Sequence, residues 1–60
     1  MKKYRLYDIY EGRELLGEFD TMKDVNAACE QRTQETDGEW YAALYEYKEN
    51  DNKYHRVKGF

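Results

Sequence analysis

Residues 3 to 11, from Lys3 through Tyr4, Leu6, Tyr7, Ile9 and Tyr10 to Glu11, are dense in Tyr and Ile, which suit a pleated strand better than a helix. Gly12 interrupts the run and predicts a turn over Glu11-Gly12-Arg13-Glu14. Leu15 to Phe19 then predicts a second short strand, and the two make a hairpin. At Thr21 the period changes. Thr21 is placed to cap a helix, with Asp24 three residues on to complement the positive N-terminal dipole. Met22, Val25, Ala28 and Cys29 recur at spacings of three and four, one apolar stripe on that helix. The helix should end near Thr36-Asp37, with Gly38 free to take the left-handed conformation that closes it.

Glu39 to Lys48 is the longest aromatic run and predicts a third strand. Glu49-Asn50-Asp51-Asn52 is turn chemistry, and Lys53 to Phe60 returns as a fourth strand. The expected class is α+β: ββαββ, one helix on one face of a mostly antiparallel four-stranded sheet. A chain of 60 residues is one domain at most, residues 1–60. A domain of that size buries only about 60% of its unfolded surface, so it needs dense packing or a partner.

Alternation along the third strand sends Trp40, Ala42 and Leu44 one way and Tyr41, Ala43, Tyr45 and Tyr47 the other. In the first strand Tyr4, Leu6 and Tyr10 oppose Tyr7 and Ile9. Both faces carry rings, and one helix covers only one face. Tyrosines do suit half-exposed sheets, pairing across strands with their hydroxyls wet. Contiguous exposed aromatics also mark contact surfaces, where Tyr and Trp are favoured. The residues expected to carry such a contact are Tyr7, Tyr41, Tyr45 and Tyr47.

Composition narrows the class without selecting an activity. At 17% aromatic the chain is too rich in rings for a disordered tail, and at 38% charged it is too polar for a membrane span. A single cysteine, Cys29, makes no internal disulfide, which points to a reducing compartment and a cytoplasmic location. Met1-Lys2-Lys3 resembles the start of a signal peptide, but Tyr4 to Asp8 follows where an apolar segment would begin.

Net charge is −3 and unevenly spread: +3 over residues 1 to 7, −7 over residues 8 to 39 and +1 over residues 40 to 60. If the first and last strands were neighbours, Lys3, Arg5, Lys53, Arg56 and Lys58 would make a basic patch beside the tyrosines. That suggests an alternative, a single-strand nucleic-acid binder using the rings with Arg5, Arg56 and Lys58. Against it stand the acidic balance and the absence of an RNA-recognition run. The reverse idea, that Asp8, Glu11, Glu14, Glu18, Asp20 and Asp24 imitate a phosphate track, is weakened by so modest a net charge; a solvated outer face is the simpler account.

No catalytic set emerges. The chain has no serine, and Cys29 with His55 would be the only nucleophile and base. Cys29 lies on the apolar stripe, where a cysteine is usually a small core residue. Cys29 and His55 do not make a zinc set, Asn50-Asp51-Asn52 lacks the spacing of a calcium loop, and the four glycines are too isolated to cradle a phosphate. No cofactor is expected. The stretch Gly17 to Thr21, with an alanine-bearing helix and then Asp37 to Tyr41, resembles short proteins of bacteria, their phages and mobile elements. That likeness implies the ββαββ fold and no activity. The expectation is a non-enzymatic module whose partner is another protein or a second copy of itself.

Overall fold

Every predicted element forms, and most are shorter than the sequence run that announced them. The computed structural model describes residues 1–60, with strands β1 (Tyr4–Asp8) and β2 (Glu14–Phe19), helix α1 (Met22–Thr36), and strands β3 (Ala42–Lys48) and β4 (Lys53–Arg56). One open sheet has the order β2-β1-β3-β4, with every neighbouring pair antiparallel. No helix is long and apolar enough to cross a membrane.

The shortening has local causes. β1 stops at Asp8 because the Asp8 carboxylate accepts the Tyr10 N–H at 2.9 Å, which folds the chain into a turn before Glu11. The same Oδ1 faces the Tyr41 N–H at 3.5 Å. Trp40 and Tyr41 therefore precede β3 and are not its first residues. At the other end, the Val57 N–H still reaches the Leu44 carbonyl at 2.8 Å, and the chain then turns, so β4 does not run on to Phe60.

Thr21 caps the helix as its sequence predicts: its backbone is extended and its Oγ1 accepts the Asp24 N–H at 3.2 Å. At the far end the left-handed conformation falls on Asp37 as well as on Gly38, with φ of 56° and 85°. The Gly38 N–H closes onto the Thr33 carbonyl at 2.9 Å.

The dry core is small. Leu6 and Leu44 face each other across β1 and β3 and meet Val25 from the helix, all three fully buried. Burying each is worth about 1.5–3 kcal/mol. Tyr4, Leu16, Phe19, Ala28, Cys29, Ala42 and Val57 pack around them. Met22, counted in the apolar stripe, is instead 37% exposed and takes no part in the core. A bulge in the first hairpin places Gly17 opposite Leu6 and Leu15 opposite Tyr7. Leu16, left without a partner, packs against the core, while Leu15 stays exposed. Gly17 is there for space: a Cβ would stand 2.7 Å from Cζ of Phe19, whose ring lies over it.

Beyond Cys29 the inner side of the helix turns polar. Arg32 donates to Asp8 Oδ2 from Nε at 3.0 Å and from Nη2 at 2.8 Å, and Nη2 also reaches Glu14 Oε1 at 3.1 Å. Trp40 adds a second tether through its Nε1, 2.9 Å from Thr33 Oγ1. Asp8 is only 7% exposed, so it does not belong to the solvated acidic face that its sequence suggests. The Tyr10 N–H, with the Arg32 guanidinium and the Tyr41 N–H, holds its carboxyl below the usual aspartate value, against the opposing pull of burial.

Candidate interaction face

Alternation from Leu6 and Leu44 puts Arg5, Tyr7, Ala43, Tyr45 and Tyr47 on the face that α1 does not cover. Across β3 and β4 the register sets Tyr54 opposite Tyr47 and Arg56 opposite Tyr45. Three of the four residues expected to make contact thus share this face. Tyr7 and Tyr45 pack edge to face with centroids 5.5 Å apart, and Tyr47 meets Tyr54 the same way at 5.3 Å. Such pairs contribute about 0.5–1.5 kcal/mol beyond their buried area. Two hydroxyls are anchored as well: Tyr47 donates to Asn52 Oδ1 at 2.9 Å and Tyr54 to the Lys2 carbonyl at 2.7 Å.

Tyr41, the fourth, lies apart. It is 63% exposed and leans on Tyr10, 5.4 Å away, at the end of the sheet where β1 and β3 open. Tyr10, assigned by alternation to the face of Leu6, has already left the strand in the Asp8 turn.

Arginines lie over this layer of rings. The Arg5 guanidinium stands 4.1 Å from the Tyr54 centroid and Arg13 stands 4.3 Å from that of Tyr7. Arg13 and Arg56 also approach Tyr45 at 5.8 and 5.9 Å. A guanidinium over a tyrosine contributes about 0.5–1 kcal/mol at an exposed site. Ala43, beneath these side chains, is buried although no helix lies above it. Arg5 is engaged twice, because its Nε also bonds Glu18, which raises its affinity for the proton above that of an ordinary arginine. Arg13 and Arg56 enter no ion pair.

The basic residues assigned to a nucleic-acid surface are arranged differently from the condition set for them. β1 and β4 are not neighbours; β3 lies between them. Arg5 and Arg56 instead flank Tyr45 from its two sides in register, and Lys58 lies in the turn after β4. Arg13 and Tyr54 are the two members of the face that sequence reading did not single out. The short turn after Tyr47 was the signal for Tyr54, since it fixes the second hairpin's register.

The acids invoked as a phosphate track are mostly paired: Glu14 with Arg32, Glu18 with Arg5 and Asp20 with Lys2. Cys29 packs against the core, and burial pushes its thiol above the ordinary value. His55 Nε2 lies 2.6 Å from Asp51 Oδ2 in the β3–β4 turn and makes no bond to Cys29. No cluster of three metal-ligating side chains forms. No family model, no curated protein and no solved structure matches this chain.

Proposed function

We propose that this chain is a non-enzymatic contact module that docks on another protein through the helix-free face of its sheet. The observation carrying this reading is the pair of edge-to-face contacts, Tyr7 with Tyr45 and Tyr47 with Tyr54, that share this face and are overlaid by arginines. Tyr and Arg dominate the energetics of protein interfaces. Rings already fixed by neighbours and by hydroxyl bonds lose little rotamer freedom on binding, which lowers the entropic cost of association. A 60-residue chain with three fully buried core side chains would also gain stability from a partner.

The single-strand reading is less well supported. The Tyr7 and Tyr54 rings each already hold a guanidinium, so a base would have to displace an arginine to stack there. Arg5 is committed to Glu18.

Placing a photoreactive phenylalanine analogue at position 45, and separately at position 30 on the exposed side of α1, tests the docking face in living cells. A discrete adduct with one protein from position 45, absent from position 30 and lost on adding Tyr47→Ala, is the expected result. Equal adducts from both positions, or adducts from position 30 alone, would overturn it.

A further inference from the structure

The chain carries 13 acidic side chains against 10 basic ones, so an arginine without a carboxylate is the exception that asks for a reason. Arg32 is held by Asp8 and Glu14, and Arg5 by Glu18. Arg13 and Arg56 are held by nothing but tyrosine rings. They approach the same ring, that of Tyr45, from the first hairpin turn and from the edge strand β4. A guanidinium resting on a ring keeps the N–H edges of its fork free, and a carboxylate matches that fork with two parallel hydrogen bonds.

Resting on the contact-module reading, we propose that the partner is a protein presenting an acidic segment, with carboxylates that pair with Arg13 and Arg56 on either side of Tyr45. A second copy of this chain fits poorly. A two-fold contact of this face with itself would bring both pairs of arginines together, and Glu18, the acid in register on the face, is already bonded to Arg5. A nucleic-acid strand fits less well than an acidic peptide, because two unpaired arginines neutralise few phosphates while the whole chain bears −3.

The test titrates the isotopically labelled full chain at low salt with three probes: a short peptide alternating glutamate and leucine, its glutamine and leucine counterpart, and a thymidine oligonucleotide. Chemical-shift changes centred on Tyr45 and the Arg13 and Arg56 side chains are expected with the acidic peptide only. Arg13→Gln with Arg56→Gln should weaken that binding by about tenfold or more, while thermal melting shows the variant still folded. Arg13→Lys with Arg56→Lys should restore only part of it, since lysine keeps the charge and loses the fork. Equal binding of the glutamine peptide, tighter binding of the oligonucleotide, or a doubled solution mass without any peptide would each overturn the acidic-segment assignment. If the acidic peptide fails while crosslinking from position 45 still marks a partner, the partner chemistry is wrong and the contact-module reading stands; if both fail, both fall.

Discussion

The two faces of the sheet are built from different residues and held by different physics. On the helix side, Leu6, Leu44 and Val25 exclude water completely, and a carboxylate and guanidinium fasten the far half of the helix. On the other side no backbone element covers the strands, and tyrosines and arginines cover one another. The first face gains by removing area from water. The second gains by many exchangeable contacts of modest size, each of which a partner's side chain can replace. Stability and availability are thus divided between faces one strand-thickness apart.

Leu44→Ala is the harshest break of that division. It removes a third of the dry core and should cost about 2–5 kcal/mol, enough in so small a domain to broaden or abolish the cooperative urea transition. A sharp transition with little loss would mean that the aromatic face, and not the helix face, carries the fold.

Asp8→Asn should come next, at about 2 kcal/mol near neutral pH, because it weakens a charge-assisted bond to Arg32 in a nearly buried place. The Asp8 carboxyl is held below its unfolded value, so its contribution is complete above about pH 4 and is lost as the pH falls through the lower folded value. Urea midpoints measured from neutral to strongly acidic pH should therefore fall in the wild-type chain and fall less steeply in Asp8→Asn. Parallel acid limbs would assign the acid sensitivity elsewhere.

Tyr45→Ala should be the mildest, at about 1 kcal/mol from its edge-to-face pair and shared cations, with the circular dichroism spectrum retained. Unfolding of the isolated variant would reverse the roles given to the two faces.

Much of this was legible in the residues. Thr21 with Asp24 announces a cap, the aromatic run after Gly38 announces β3, and alternation separates Leu44 from Tyr45 and Tyr47. Other features were hidden for physical reasons. Leu15 and Leu16 are both apolar, so nothing in their order tells which enters the core until the bulge is seen. Asp8 sits in an alternating strand like any wet acid; its burial follows from Arg32, which the chain places 24 residues away. Arg13 belongs to a turn by composition, and only the hairpin's register brings it over Tyr7. The adjacency of first and last strands on which the basic patch was conditional does not occur, because strand order is a tertiary outcome on which local pattern is silent, yet Arg5 and Arg56 still flank Tyr45.

That strand order also bears on how the chain reaches its fold. Each hairpin closes over a short turn, but the central pairing joins Tyr4 to Glu46 and Asp8 to Ala42 across the whole helical segment. Its loop is by far the longest to close, and little contact energy offsets that entropy until Leu6 meets Leu44. The meeting of the two hairpins along β1 and β3 is therefore the step with the largest loop-closure cost, and the buried leucine pair on which equilibrium stability depends is the contact that offsets it.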